Sequence, residues 1–139
     1  MRSVLLVEDD IFDTMTAQKT FAKFSVPHQL HTAFNGEEAL DMLLGRGNVP
    51  PLEPLPELIL LDLNMPRMNG IEFLEALRAD EDLKSALVFM VTTSKAEEDK
   101  ARAYGHHVAG YIVKQDPANT FMQAVSLLEH YWKIVEFPE

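Results

Sequence analysis

Residues 58–70 read Leu-Ile-Leu-Leu-Asp-Leu-Asn-Met-Pro-Arg-Met-Asn-Gly, and the interpretation of the whole chain starts from them. Four consecutive aliphatic residues without helical spacing predict a strand buried on both faces, as in a parallel sheet. Asp62 follows directly, and the turn-forming residues after it place its carboxylate at the carboxyl end of that strand. Ligands bind there in open α/β sheets, although a lone Asp is as often a turn former or a helix cap.

Composition limits the classes of function that need to be considered. The 139 residues predict one domain (1–139) with a core of its own, and 47% hydrophobic and 24% charged residues are typical of a globular protein. The lack of cysteine excludes disulfides, thiolate metal sites and a cysteine nucleophile. A net charge of −10 argues against nucleic-acid binding and favours a basic protein partner or a divalent cation. With neither a signal peptide nor a membrane span expected, we predict a cytoplasmic protein.

Strands and helices are predicted to alternate five times along the chain. The expected strands cover residues 3–7, 28–34, 58–61, 86–91 and 108–113. The expected helices cover residues 11–24, 37–44, 71–77, 95–104 and 117–132. Residues 45–56 hold two glycines and four of the eight prolines, which predicts a long loop. This alternation indicates an α/β fold with a parallel sheet between two layers of helices, followed by a short apolar tail over about 132–139.

Helical spacing also predicts which side chains the first helix buries. Its apolar residues recur at Ile11, Met15, Phe21 and Phe24. Asp10, directly before this helix, is expected to act as its amino-terminal cap rather than as a metal ligand.

Polar residues follow four of the predicted strands. They are Glu8 and Asp9 after the first strand, Asp62 after the third, Thr92 after the fourth and Lys114 after the fifth. Because the carboxyl ends of parallel strands share one edge, we expect these side chains to converge. Crowded carboxylates need a compensating charge, and Mg²⁺ with oxygen ligands provides one. A carboxylate beside Mg²⁺, a hydroxyl and a lysine form a site that accepts a phosphoryl group.

In this ordered set of residues the chain resembles the receiver domains of two-component response regulators, over nearly its whole length. The resemblance implies a flavodoxin-like, doubly wound fold with five helices and five parallel strands in the order 2-1-3-4-5. It implies that Asp62 is the phosphoacceptor. It also implies that Asp9, Asp62 and the backbone carbonyl of Asn64 bind Mg²⁺ directly, with Glu8 acting through water.

The resemblance further implies a switch and a set of partners. Lys114 would pair with the phosphoryl oxygens, and Thr92 would close on the phosphate and draw Tyr111 inward. The binding surface of the fourth helix, fifth strand and fifth helix would change in response. Asn64 and Ser94 occupy positions where the family tunes dephosphorylation. The implied partners are a sensor histidine kinase and either a downstream protein target or a phosphotransfer protein.

Two features depart from the usual family pattern. Gln115 stands where the family has a proline in a cis peptide, so the Lys114–Gln115 bond is expected to be trans. The proline-rich loop, the triplet at residues 92–94 and the apolar end of the chain resemble the small regulators paired with phytochrome kinases. Three aromatic residues near that end are candidates for a subunit interface and hence for a homodimer: Tyr131, Trp132 and Phe137.

Other functions remain open on the residues alone. Taken alone, Thr92 is explained as the end of a strand, Lys114 as a surface lysine and Tyr111 as a half-buried packing residue. An aspartate-nucleophile phosphatase needs similar groups in a different chain order, with a second Asp where Asn64 stands. A degenerate receiver that acts as a passive scaffold is a further alternative. The retained set of rim residues favours a phosphoacceptor that is not a turnover enzyme.

Overall fold

The computed structural model describes residues 2–23 and 28–136, and strands alternate with helices along them. The strands are β1 (Arg2–Val7), β2 (His28–Ala33), β3 (Leu58–Leu61), β4 (Val88–Thr92) and β5 (Gly110–Val113). The helices are α1 (Ile11–Phe21), α2 (Gly36–Leu44), α3 (Gly70–Ala79), α4 (Glu97–Gly105) and α5 (Pro117–Ile134). One parallel sheet has the order β2-β1-β3-β4-β5, which confirms the predicted fold. No helix within these described ranges is long and apolar enough to cross a membrane.

The central strand β3 contacts both layers of helices. Leu58 and Leu60 pack in the layer formed with α1 and α5, whereas Ile59 and Leu61 pack in the layer formed with α2, α3 and α4. Successive residues of a strand point to opposite faces, so a strand covered on both faces must be apolar throughout. All four residues are buried, which explains the unbroken aliphatic run in the sequence.

The buried face of α1 differs from the predicted one. Ile11 and Met15 are exposed, and the helix ends at Phe21, with Phe24 outside the described residues. The residues that α1 buries are Thr14, Ala17 and Phe21. A polar residue can be buried here because the Thr14 hydroxyl donates a hydrogen bond to the Asp10 carbonyl at 3.0 Å. The apolar pattern therefore identified Phe21 correctly but was wrong for Ile11 and Met15.

Trp132 belongs to the core, and the prediction that places it in an apolar tail at a subunit interface is wrong. Helix α5 continues to Ile134, and Trp132 packs with Val125 and Leu128 at a helical spacing of three and four residues. Its side chain is 5% exposed because the indole covers the sheet. Tyr131 is half-buried against the same cluster, and Phe137 lies outside the described residues.

The loop expected over residues 45–56 contains neither helix nor strand. The cis peptide bond within the described residues joins Glu53 and Pro54, so the Lys114–Gln115 bond is trans, as expected from the absence of proline.

Asp10 caps α1 by accepting hydrogen bonds from the backbone N–H groups of Phe12 and Asp13. That prediction is also confirmed.

A glycine at the start of α3 allows the helix to approach the loop that carries Asp62. A Cβ at position 70 would lie 2.5 Å from the Asp62 carbonyl oxygen and 2.9 Å from the Leu63 Cα. Gly70→Ala should therefore lower the free energy of unfolding by about 1–3 kcal/mol. The measurement is urea denaturation followed by circular dichroism.

Gly105→Ala is the matched control, because a Cβ there meets no atom within 4 Å. It should leave stability unchanged or raise it by up to about 1 kcal/mol, since alanine restricts the unfolded chain and favours the helix. Equal losses of unfolding free energy in the two variants would show that the close approach of α3 to Asp62 and Leu63 does not require glycine at position 70.

Trp132→Ala should cost about 3–5 kcal/mol of unfolding free energy, because it removes a large buried side chain from the core. Ile134→Ala, at a residue 78% exposed on the same helix, should change stability by less than about 0.5 kcal/mol. Circular dichroism is the suitable probe, since the variant lacks the single tryptophan. Unchanged monomer stability in Trp132→Ala, together with loss of a dimer, would restore the interface interpretation.

Candidate functional site

Backbone pairing brings the carboxyl ends of the strands to one edge of the sheet. Val7 is in register with Leu61, and the Asp62 N–H donates to the Val7 carbonyl at 2.9 Å. On the far side the Lys114 N–H donates to the Thr92 carbonyl at 2.7 Å. The residues that follow β1, β3 and β5 therefore leave the sheet at the same edge, as the sequence predicts.

Three carboxylates form the centre of this edge. Glu8, Asp9 and Asp62 each offer an oxygen, and these oxygens all lie within 4.8 Å of one another. Glu8 and Asp62 are 2% and 8% exposed, whereas Asp9 is exposed to solvent. Hard divalent cations such as Mg²⁺ prefer oxygen ligands and retain some water, so a partly open set of carboxylates fits such an ion.

Burial changes the protonation of the two inner carboxyl groups. It raises the pKa of Glu8 to about 8, and the negative charge of Asp62 adds to this effect despite the nearby Lys114 ammonium. Burial also raises the pKa of Asp62, although Lys114, Glu8 and Thr92 oppose the change. Two adjacent buried carboxylates also repel each other, which opposes ionisation of both. A bound cation would supply the charge that allows both to ionise.

Lys114 is held by two carboxylates. Its ammonium donates to Glu8 Oε1 at 2.6 Å and to Asp13 Oδ2 at 2.8 Å, and its side chain is 4% exposed. Burial by itself would lower the pKa of Lys114, but the hydrogen bonds to Asp13 and Glu8 and the negative charges of Glu8 and Asp62 together outweigh burial and raise it. The lysine is therefore a permanent cation beside Asp62.

Asp13 is the residue at this edge that the sequence analysis missed. It lies in the first turn of α1, where an acidic residue is usually explained by the helix dipole. Its pairing with Lys114 depends on how α1 leaves β1, over a distance of 101 positions in the chain. The available signal was its position, three residues after Asp10 and close to the acidic run at residues 8–10.

The Asp62 carboxylate is oriented by its neighbours. Its Oδ1 accepts a hydrogen bond from the Leu63 N–H at 2.8 Å, and the buried Thr92 hydroxyl acts to lower the pKa of Asp62. The carboxylate faces a cavity of about 470 Å³ to which Asn64 and Thr93 also contribute. The site combines a positioned carboxylate, a fixed cation and an open cavity beside them.

A chain of hydrogen bonds leads from this edge to α4. The Ser94 N–H donates to Thr92 Oγ1 at 3.4 Å, and the Ser94 hydroxyl donates to Asp99 Oδ2 at 2.6 Å. Tyr111, half-buried on β5, donates its hydroxyl to the Ser94 carbonyl at 3.0 Å. The loop after β4 thus connects Thr92 with both Tyr111 and α4. Tyr131, by contrast, packs in the layer with α1 and does not line the cavity.

Comparison with known proteins gives a consistent result. Response regulator Rcp1 of Synechocystis sp. is 33% identical over 129 residues, which cover 93% of this chain and 87% of that protein. The structure of the phosphorylated cyanobacterial phytochrome response regulator RcpA matches with a TM-score of 0.88 at 34% identity. The match covers 99% of this chain and 99% of that chain. The Mn²⁺-bound form of response regulator Rcp1 has a TM-score of 0.86 at 32% identity, with 100% of both chains covered.

The family described as the response regulator receiver domain matches residues 4–126, which include every strand end described above. The strand order, the acidic edge and this match agree with one another. The protein belongs to the response regulator receiver domain family.

Proposed function

We propose that this response regulator accepts a phosphoryl group on Asp62 from the phosphohistidine of a sensor histidine kinase. The observation that carries the proposal is the convergence of Asp62 with two further carboxylates and the Lys114 ammonium on one cavity. A buried carboxylate beside a fixed cation is a suitable nucleophile for phosphoryl transfer, because the cation stabilises the charge on the transferred oxygens.

The reaction requires little more than positioning and charge stabilisation. A carboxylate oxygen of Asp62 attacks phosphorus, and the bond between phosphorus and the imidazole nitrogen breaks. The electron pair of that bond remains on the histidine, and the product on Asp62 is an acyl phosphate. Lys114 contributes a positive charge to the phosphoryl oxygens, and the Thr92 hydroxyl contributes a hydrogen bond from the end of β4.

The residues that would hold Mg²⁺ are Glu8, Asp9, Asp62 and the backbone carbonyl of Asn64. The convergence of three carboxylate oxygens favours a divalent cation at this position. When bound, the cation supplies positive charge that screens the carboxylates from the incoming phosphoryl oxygens. The Mn²⁺-bound form of Rcp1 supports a divalent ion in this family.

The signal would leave the site through Thr92 and Tyr111. A phosphoryl group on Asp62 would compete for the Thr92 hydroxyl, and Thr92 is linked to Ser94 and through it to Tyr111. The surface formed by α4, β5 and α5 would then change its contacts. Asn64 at the cavity and Ser94 behind it are positioned to influence the lifetime of the phosphoryl group.

The proposed partners follow from charge and resemblance. RcpA is a phytochrome response regulator, and its similarity to this chain supports a phytochrome-like kinase as the phosphoryl donor. The net charge of −10 supports protein partners rather than nucleic acid or an acidic membrane surface. A downstream target or a phosphotransfer protein would read the signal in the cytoplasm, and a homodimer is a candidate form. Members of this family are generally not turnover enzymes, and we propose the same here.

Asp62→Asn should abolish phosphorylation, because an amide cannot serve as the nucleophile. Wild-type protein incubated with Mg²⁺ and acetyl phosphate should gain the mass of one phosphoryl group in intact-protein mass spectrometry. Asp82→Asn, at an exposed acid that does not line the cavity, is the control and should be phosphorylated like the wild type. A full adduct on Asp62→Asn would contradict the assignment of the phosphoacceptor.

Mg²⁺ should stabilise the folded protein through the acidic edge, since a ligand that binds only the folded state shifts unfolding by mass action. At a concentration 100-fold above Kd the gain is about 2.7 kcal/mol, which corresponds to a Tm increase of about 5–10 °C. Asp9→Asn should lose most of this increase, whereas Asp82→Asn should keep it. The measurement is thermal unfolding at constant ionic strength. An equal Mg²⁺ effect on Asp9→Asn and wild type would exclude Asp9 as a ligand.

A further inference from the structure

Asp13 has a contact that the proposed function does not use. Its carboxylate lies 2.8 Å from the Lys114 ammonium, and its side chain is 14% exposed at the wall of the cavity. The ammonium has three N–H donors, and within the described residues two of them go to Glu8 and Asp13. The proposed function requires the same ammonium to contact phosphoryl oxygens carried by Asp62.

We propose that Asp13 is a positioning residue that competes with the phosphoryl group for Lys114. In the unphosphorylated protein Asp13 holds the ammonium on the side of α1. A third N–H donor remains for phosphoryl oxygens carried by Asp62, but a turn of the ammonium toward them draws it away from Asp13, so the Asp13 carboxylate opposes the phosphorylated state. This inference rests on the proposed role of Asp62 as phosphoacceptor.

The geometry indicates which of the two bonds yields. Glu8 is 2% exposed, and its bond to Lys114 is the shorter, at 2.6 Å. A buried carboxylate that loses its cation cannot regain an equivalent partner from water. Asp13 borders the cavity, where water replaces a lost hydrogen bond at small cost. The bond to Asp13 is therefore the one that breaks when a stronger anion arrives.

Asp13 could stabilise helix α1 as well as compete for Lys114, and the two roles have to be separated. As an acid in the first turn of α1, Asp13 also interacts favourably with the helix dipole. Asp10 provides the comparison, because it lies at the same helix end and accepts hydrogen bonds from the N–H groups of Phe12 and Asp13. Asp10→Asn removes the same charge and retains the cap, since Asn caps helices as well as Asp.

The test is the affinity for beryllofluoride, a mimic of the phosphoryl group, measured at saturating Mg²⁺ by amide chemical-shift titration. Asp13→Asn should bind about three- to tenfold more tightly than wild type, because a neutral amide competes less strongly than a carboxylate for a cation. Asp10→Asn should change the affinity by less than about twofold, since its charge is screened and not in contact with Lys114. Asp13→Glu, which restores the carboxylate, should return the affinity toward that of wild type.

The outcomes are distinguishable. If wild type binds beryllofluoride and Asp13→Asn binds no more tightly, the competition does not exist. Equal tightening in Asp10→Asn and Asp13→Asn would reduce the effect to net charge and would also overturn the inference. A change confined to urea denaturation would assign Asp13 to the helix alone. If wild type fails to bind beryllofluoride with Mg²⁺, the proposed function itself is wrong, and this inference is wrong with it.

Discussion

The burial of a lysine together with two carboxylates at one edge of the sheet is the constraint on which the rest of the structure depends. An isolated buried charge costs several kcal/mol, and it persists only where partners compensate it. Lys114, Glu8 and Asp62 compensate one another only because parallel strands β1, β3 and β5 end at the same edge of the sheet. The parallel order of the strands is therefore a requirement of the site as well as of the core.

The negative charge of the carboxylates at the site is only partly compensated, and this leaves the site able to bind a cation. Three carboxylate oxygens lie within 4.8 Å of one another, and the pKa of Glu8 is raised to about 8. A fold selected for stability alone would replace these groups with apolar residues, so their retention indicates a function. A divalent cation and a phosphoryl group would each relieve part of the imbalance, and the link through Ser94 would carry the change to α4.

The fold and the central residues could be predicted because they follow from one-dimensional patterns. Buried strands are continuous apolar runs, and the residue after each run is at the site in a parallel sheet. The burial of Trp132 and the exposure of Ile11 could not be predicted, since both depend on how α1 and α5 pack together. Asp13 was missed for a related reason: its partner Lys114 lies at the opposite end of the chain, and only the position of α1 brings them together.

The most direct test of the central claim is a crystal structure of the protein with Mg²⁺ and beryllofluoride. The arrangement of the strand ends predicts beryllium on the Asp62 carboxylate, with the Lys114 ammonium and the Thr92 hydroxyl in contact with the fluorides. Beryllofluoride bound to a different carboxylate, or bound at Asp62 without contacts to Lys114 and Thr92, would contradict the account.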